Sequence, residues 1–263
     1  MAKPETIASA ANPLVKDVRR AIARGGLTAQ GWCVAETRHL LEEALRSSRS
    51  RVKQVLAAES VRRELPPLDG VRVAILADDL VERISGTESS QGVIALVEPP
   101  EWKLEELFDG CALVVVLDGV QDPGNAGAIA RAAEAFGASG AIFLKGTASP
   151  FNPKTLRASA GSLFRVPFLY GMDAAAARGT LQVNQVRSYT AVPSRPSVPD
   201  VAGMDLEMPC ALIVGNEGRG VSAEWRGATW DVTIRTQAVE SLNAAMAAGI
   251  LLYEARRQRS QRA

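Results

Sequence analysis

Two hydrophobic patterns alternate along the chain. Apolar residues recur at helical spacing in four segments: residues 13–22, 38–45, 126–136 and 241–257. Short apolar runs typical of β-strands stand between them, at residues 52–57, 71–76, 93–97, 112–118, 141–144, 166–170, 188–192, 211–214 and 230–234. This alternation of strands and helices predicts an α/β fold.

The second half of the chain predicts a mostly parallel sheet. Residues 112–118 form a continuous apolar run of the kind that is buried on both faces of a parallel sheet. Pro99-Pro100 and an acidic stretch ending at Asp109 separate the two halves. We therefore place a boundary near residue 105 and expect one domain over 1–105 and a second over 106–263.

Composition narrows the class of protein. No run of 18 or more apolar residues is present, and the first residues lack the apolar core of a signal peptide, so we expect no membrane partner. Cys33, Cys111 and Cys210 are far apart and in no metal-ligand spacing. We interpret them as reduced, packed thiols of a cytoplasmic protein, and we predict no metal site.

Charge is unevenly distributed along the chain. Residues 1–65 hold twelve Lys/Arg against seven Asp/Glu, and residues 145–195 hold seven against one. Residues 66–110 between them hold three against ten. Any one such run is also typical of solvated surface, but two basic segments around an acidic one favour a nucleic-acid partner.

The first candidate site loop follows the strand at 112–118. Gly124 and Gly127 allow a tight turn at a helix start, where backbone N–H groups can hold a phosphate. Arg131 lies about one turn beyond Gly127 and could project toward the same loop. The alternative is a plain strand-to-helix turn with Arg131 on the solvated face.

Two further loops follow predicted strands. Gly215-Asn216-Glu217-Gly218-Arg219-Gly220 has the flexibility to wrap a flat ligand, and Glu217 between glycines is an unusual place for a structural residue. It lacks the spacing of a dinucleotide fingerprint. Ser241 and Asn243 open the last helix, where capping and ligand contact are compatible roles.

At these three loops the sequence closely resembles the SpoU/TrmH family of the SPOUT methyltransferases. That family's pattern is N-x-G-x-x-x-R, then G-x-E-x-x-G after a strand, then S-L-N opening the final helix. The matching segments here begin at Asn125, Gly215 and Ser241, in the same order and strand contexts. The resemblance implies an RNA methyltransferase that moves a methyl group from S-adenosylmethionine to a ribose 2′-hydroxyl.

The resemblance extends over nearly the whole chain. Residues 7–16, 85–87 and 91–95 look like parts of an N-terminal substrate-binding domain, a small α/β fold resembling RNA-binding ribosomal proteins. For the second domain, the family implies a C-terminal trefoil knot with S-adenosylmethionine bound in its loops. It also implies a homodimer through that domain, with an active site shared between subunits. An N-terminal domain of this kind favours ribosomal RNA, 23S above all, over tRNA.

The resemblance assigns roles to particular residues. The catalytic set is Arg131, Asn125 and Glu217. The cofactor-binding set is Gly215, Asn216, Gly220, Ile234, Ser241, Leu242 and Asn243. The basic segments, rather than the family motifs, supply the RNA-binding set, which is Lys16, Arg38, Lys154, Arg157 and Arg165, although Arg157 could instead belong to a structural ion pair. Because a guanidinium resists deprotonation, we assign Arg131 to phosphate anchoring and oxyanion stabilisation and leave its role as a general base open.

One segment departs from the family pattern. The loop before Ser241 usually resembles I-P-M-x-G, whereas residues 234–238 have neither the proline nor the glycine. Cofactor affinity is the property that this change puts in question. The alternatives are a tRNA 2′-O-methyltransferase, a non-catalytic RNA-binding or ribosome-assembly protein, and a nicotinamide-dependent oxidoreductase that uses Gly124 and Gly127. The sequence does not separate a housekeeping role from antibiotic resistance.

Overall fold

The computed structural model describes residues 4–87 and 90–261. The chain divides into two compact units, one of Met1–Glu101 with Phe151–Arg165 and one of Trp102–Pro150 with Val166–Ala263. The boundary that we expected at residue 105 assigned residues 151–165 to the second domain. In the structure this segment packs with the first unit, so the chain leaves the second unit after Pro150 and returns to it at Val166.

The first unit is built on a mixed five-stranded sheet. Its strands are β1 (Glu5–Ile7), β2 (Cys33–Glu36), β3 (Arg51–Ala58), β4 (Arg72–Leu76) and β5 (Val93–Glu98). The spatial order is β1-β4-β3-β5-β2. β4 pairs in parallel with β1 and β3, whereas β5 pairs antiparallel with β3 and β2.

Four helices accompany this sheet. They are α1 (Pro13–Arg24), α2 (Arg38–Arg46), α3 (Asp78–Ile84) and α5 (Pro153–Ser159), the last from the returning segment. The side chain of Asn12 caps α1 by accepting a hydrogen bond from the amide of Leu14 at 2.9 Å, and Pro13 occupies its first turn. The unit's apolar core joins Val15 and Val18 of α1 to the sheet.

The second unit is built on a parallel six-stranded sheet. Its strands are β6 (Leu113–Asp118), β7 (Gly140–Leu144), β8 (Phe168–Met172), β9 (Arg187–Ala191), β10 (Cys210–Gly215) and β11 (Trp230–Val232). The order is β11-β9-β10-β6-β7-β8, and every pairing is parallel. The mostly parallel sheet predicted from the buried apolar runs is confirmed.

Three helices complete the second unit: α4 (Pro123–Ala135), α6 (Ala174–Val183) and α7 (Ala244–Ser260). α4 begins earlier than the apolar period predicts, because Asp122 caps it by accepting from the amide of Asn125 at 2.7 Å. Asn125 therefore lies in the first turn of the helix rather than in the loop before it. α7 begins at Ala244 with Asn243 as its N-cap.

Most predicted strands match, and the misses have local causes. β8 starts two residues later than the apolar run, since Pro167 has no N–H to give to the sheet. β1 and β2 were not predicted, because β1 has three residues and β2 is a four-residue strand that ends in the charged residue Glu36.

Two further observations bear on the composition-based expectations. None of the described helices is long and apolar enough to cross a membrane. Among the described residues no cluster of His, Cys, Asp and Glu could hold a metal ion. All three cysteines are free; Cys33 and Cys210 are buried as expected, whereas Cys111 is exposed.

Candidate active site

The candidate site lies at the carboxyl edge of the second unit's sheet. β9, β10 and β6 are adjacent and parallel, so the loops that follow them leave the sheet on the same side. This edge is where α/β sheets commonly bind ligands. Asp118, the last residue of β6, is buried, and its carboxylate accepts from the amide of Ser222 at 2.6 Å. The ends of β6 and of the loop after β10 are thereby joined.

Asn216 organises the turn after β10. Its side-chain oxygen accepts from the amides of Gly218 at 2.9 Å and Arg219 at 3.0 Å. Its side-chain nitrogen donates to the carbonyl of Gly119 at 2.9 Å, across to the loop after β6. Backbone hydrogen bonds between Asn216 and Gly220, in both directions, close the turn. Asn216 thus fixes the shape of the loop in addition to lining the cavity described below.

Gly215 is required by close backbone packing. A β-carbon on Gly215 would lie 2.4 Å from the carbonyl carbon of Gly220 and 2.5 Å from the amide nitrogen of Val221. Gly220 has a φ of +69°, a conformation that favours glycine. These two glycines let the turn fold back on its own strand.

A hydrogen-bonded chain joins the three motifs. The side-chain nitrogen of Asn243 donates to the side-chain oxygen of Asn125 at 3.0 Å. The side-chain nitrogen of Asn125 donates in turn to Glu217 Oε1 at 2.6 Å. The Asn125 amide is therefore fixed at both ends, and its orientation follows from these partners. Residues far apart in sequence (125, 217 and 243) converge as the three loops predicted.

A cavity of about 550 Å³ opens beside this chain. It has the size of ordinary small-molecule sites. Six of the seven predicted cofactor residues line it: Gly215, Asn216, Gly220, Ile234, Ser241 and Leu242. Asn243 is not among the lining residues; its side chain caps α7 and contacts Asn125.

Arg131 stands apart from these groups. It is exposed on α4 and does not line the cavity. It follows Asn125 by six residues, which at about 100° per residue places the two side chains on different faces of the helix. Its guanidinium has no ion pair or hydrogen bond with any residue in the described ranges. The structure of the single chain does not bring Arg131 to the other two predicted catalytic residues.

The predicted RNA-binding residues divide into two groups. Three of them form ion pairs within the first unit: Arg38 with Glu64, Arg157 with Glu36, and Arg165 with Glu43. Glu36 is only 3% exposed, and it also accepts from the Ser85 hydroxyl and the Gly86 amide. The structural ion pair considered for Arg157 is therefore present.

The two predicted lysines differ from those arginines. Lys16 and Lys154 are exposed, and across residues 4–87 and 90–261 neither has an ionic partner. These two side chains remain available to a ligand.

The segment that departs from the family pattern leaves the cavity open. Ile234 and Thr236 line the cavity, whereas Arg235 does not. The backbone amide of Arg235 donates to Asp200 at 3.2 Å, and its guanidinium lies 4.0 Å from the same carboxylate. The hydroxyl of Thr236 donates to the carbonyl of Val239, which closes the loop on itself.

Sequence reasoning missed one wall of the cavity. The loop after β9, from Val192 to Arg195, contributes to the lining together with Arg226 and Glu240. The signal was a predicted strand at 188–192 followed by Pro193 and Ser194. What the sequence does not show is that this strand lies between β10 and β11, which puts its loop at the site.

The fold and the cavity together define a class of protein: an α/β protein whose parallel sheet carries a small-molecule site at its carboxyl edge. The chain belongs to the SpoU rRNA methylase family, whose model matches residues 112–253. A second model, for RNA 2′-O ribose methyltransferase substrate binding, matches residues 37–103.

Named relatives agree with this family. The chain is 35% identical to the 23S rRNA (guanosine(2553)-2′-O)-methyltransferase RlmP of Bacillus subtilis, over 95% of this chain and 98% of the relative. It is 32% identical to a 23S rRNA (uridine(2479)-2′-O)-methyltransferase of Streptomyces viridochromogenes, over 87% and 78% respectively. The solved structure of the SpoU methyltransferase AviRb with AdoMet, also from S. viridochromogenes, superposes with a TM-score of 0.81 at 27% identity, over 95% and 98% of the two chains.

These matches confirm the predicted family and the predicted class of enzyme, an S-adenosylmethionine-dependent RNA 2′-O-methyltransferase. They exclude the oxidoreductase alternative.

The cavity itself fits the cofactor. Glycine backbone, the apolar side chains of Val214, Leu242 and Leu251, and charges of both signs line it, including Glu217 and Arg219. S-adenosylmethionine presents a flat adenine and a zwitterionic amino acid to such a lining.

Proposed function

We propose that the protein methylates a ribose 2′-hydroxyl of 23S ribosomal RNA. The observation that carries the proposal is the hydrogen-bonded chain from Asn243 through Asn125 to Glu217 beside the cavity. The rRNA substrate is supported by the relatives, which are named 23S rRNA 2′-O-methyltransferases. Cytoplasmic localisation follows from such a substrate.

S-adenosylmethionine, when bound, supplies an electrophilic methyl group on a sulfonium. Gly215, Asn216, Gly220, Ile234, Ser241 and Leu242 would hold it, mainly through the backbone of the turns that they form. Binding in this cavity would align the two reactants, which is the main requirement of an in-line displacement.

We assign the work on the ribose to Asn125 and to an Arg131 that a second subunit would supply. Asn125, held by Asn243 and Glu217, presents its amide in one orientation and positions the ribose. As the 2′-hydroxyl loses its proton, negative charge develops on the oxygen, and a fixed cation lowers the free energy of that state. We assign this work to Arg131 and keep its action as a general base open.

The position of Arg131 supports a homodimer with a shared active site. In the single chain Arg131 is exposed and away from the cavity, so a second subunit would complete the catalytic set. Met246, Ile250 and Tyr253 form an exposed apolar row on α7 at helical spacing, and Phe136 packs edge-on against Tyr253. We propose that α7 and α4 form the dimer contact.

The dimer has a direct test with a matched control. Ile250→Arg places a charge in the proposed contact, whereas Val183→Arg places one at an apolar residue of α6 that is already 83% exposed. Sedimentation velocity should give a dimer for the wild type and Val183→Arg and a monomer for Ile250→Arg. A monomeric wild type, or equal behaviour of both variants, would contradict the proposed interface.

We also propose the C-terminal trefoil knot and the ribosomal-protein-like fold of the first unit. The knot is supported by the way residues 191–198, 214–221 and 231–251 crowd around one cavity. An experimental structure in which the backbone of residues 186–261 is not threaded through a loop of the same chain would refute the knot.

Two measurements test the reaction. S-adenosylmethionine is titrated calorimetrically into the wild type and into an Asn216→Ala/Ser241→Ala variant, where we expect micromolar binding and its loss. Protein-free 23S rRNA and bulk tRNA are then incubated with labelled cofactor, and the methylated nucleoside is identified by mass spectrometry. Methylated tRNA alone would favour the tRNA alternative, and absence of cofactor binding would favour a non-catalytic RNA-binding protein.

A further inference from the structure

The helix α1 carries four exposed cations: Lys16, Arg19, Arg20 and Arg24. At about 100° per residue they fall within an arc of roughly 140°, on the side opposite the helix's buried apolar face. Lys16, Arg20 and Arg24 form a single row in which successive residues rise by about 6 Å.

The cations of this face have no acidic partner among the described residues. Within residues 4–87 and 90–261 none of the four cations forms an ion pair. The single acid of α1, Asp17, is held by the amide of Ala29, which lies 3.0 and 3.2 Å from its two carboxylate oxygens. The other helices of the sequence's first hundred residues behave differently: on α3, for example, Arg83 pairs with Asp79 at 2.6 Å.

The arrangement works against the stability of α1. Like charges four residues apart on a helix repel each other. The first turn of α1 holds no acid, so no negative charge complements the positive end of the helix dipole there, whereas Arg24 in the last turn complements the negative end. An uncompensated row of this kind indicates an anionic partner more strongly than a paired, solvated surface does.

The buried face of α1 excludes a membrane as that partner. Val15, Val18 and Ala21 are at most 2% exposed, because they pack in the core of their own unit. A basic helix that binds a bilayer needs its apolar face free to enter the lipid. The charged residues on the exposed face of α1 are all cations, which suits a phosphate backbone.

A fifth cation stands at the end of the row. Gly25 terminates α1, and a β-carbon there would lie 2.4 Å from Nδ2 of Asn152, so the two segments are in close contact. Asn152 caps α5 by accepting from the amide of Lys154 at 2.9 Å. Lys154, exposed and without an ionic partner among the described residues, therefore extends the basic surface beyond α1.

We infer that the exposed face of α1, continued by Lys154, binds the sugar–phosphate backbone of the ribosomal RNA substrate. The inference rests on the proposed function and names a surface for it. The matched substrate-binding model starts at residue 37, so α1 lies outside the region that the family comparison assigns to RNA. Contacts of this type position an RNA without reading its sequence.

The test compares two variants that each lose four positive charges. The α1 variant carries Gln at positions 16, 19, 20 and 24. The control carries Gln at positions 46, 53, 62 and 83, where each cation has an acidic partner. Glutamine keeps a good helix propensity. Binding of in vitro transcribed, protein-free 23S rRNA is measured by filter retention over a series of salt concentrations.

The plot of log K against log salt has a negative slope, and we expect its magnitude to decrease by about three units in the α1 variant, at about 0.7 for each phosphate that is no longer neutralised. The control should change by less than one unit. Equal slopes in both variants, or no binding of 23S rRNA by the wild type, would overturn the inference. An acidic protein would then be the remaining kind of partner.

Two additions keep the result decisive. A two-charge variant, Lys16→Gln with Arg20→Gln, should lower the magnitude of the slope by about half as much, which decides the question if the four-charge variant misfolds. Cofactor titration of the same proteins separates the two claims. Unchanged S-adenosylmethionine binding with a slope of smaller magnitude supports both, whereas a slope of smaller magnitude without cofactor binding in the wild type refutes only the methyltransferase proposal.

Discussion

Replacing Gly215 with alanine should weaken cofactor binding by displacing a turn, without removing any group that contacts the cofactor. The added β-carbon would lie 2.4 to 2.6 Å from backbone atoms of Gly220 and Val221, which have no flexible end to move aside. Overpacking of this kind costs about 1–3 kcal/mol. The strain is relieved if the turn moves away from the strand, which changes the cavity wall.

The expected magnitude follows from that strain. If cofactor binding requires the original turn, the whole strain opposes it, and at about 1.4 kcal/mol per tenfold the Kd rises roughly 5- to 150-fold. Gly218→Ala is the matched control, because its β-carbon would meet nothing closer than Asn216 Oδ1 at 3.6 Å. Calorimetric titration with S-adenosylmethionine should show a change below about twofold for this control.

Two outcomes would contradict this prediction for Gly215→Ala. A Gly215→Ala protein with wild-type Kd and wild-type Tm would mean that the backbone packing of the turn is not as tight as the structure has it. Equal losses in Gly215→Ala and Gly218→Ala would mean that any added methyl group in the loop disturbs the site.

Three further predictions follow from other contacts. Glu217→Ala removes the acceptor that orients the side-chain amide of Asn125, a hydrogen bond worth about 1.5 kcal/mol, so single-turnover methyl transfer at saturating cofactor should fall about tenfold. A normal rate at saturating cofactor would contradict this positioning role. Arg157→Met leaves buried Glu36 without its cation and should lower the free energy of unfolding, measured in urea, by about 3 kcal/mol. Adding Glu36→Gln should recover most of this loss, and no recovery would show that the unpaired charge is not its cause. Burial raises the pKa of Cys33 to about 12, so at pH 8 iodoacetamide should label exposed Cys111 and not Cys33, and labelling of Cys33 in the folded protein would contradict its burial. The stabilisation that comes from the neutral Cys33 thiol is complete below a pH of about 8.5 and should be lost as the pH rises toward 12.

The sequence predicts those parts of the molecule whose signals are local. Continuous apolar runs identify the buried strands of the second unit, and glycines with turn residues identify the loops after β6 and β10. The convergence of Asn125, Glu217 and Asn243 follows from the family motifs that the chain matches.

Long-range partners have no such signal. Arg157 meets Glu36 across 121 positions, and nothing in either neighbourhood distinguishes this arginine from one that is free to bind RNA. The same is true of strand order, which alone brings the loop of Val192 to the cavity. Charge counts therefore pointed to basic segments, whereas the structure separates paired arginines from the unpaired cations of α1.

Residues 151–165 belong to the first unit, so that unit is discontinuous in sequence. If residues 1–101 were exchanged for those of a relative, positions 36 and 43 would come from the relative, whereas Arg157 and Arg165 would still come from this chain. A mismatch at either position leaves an acid of the incoming piece without its cation. Substitutions at position 36 are thus expected to be accompanied by substitutions at position 157, and those at position 43 by substitutions at position 165. A chimera that exchanges the first unit between relatives should include both residues 1–101 and residues 151–165.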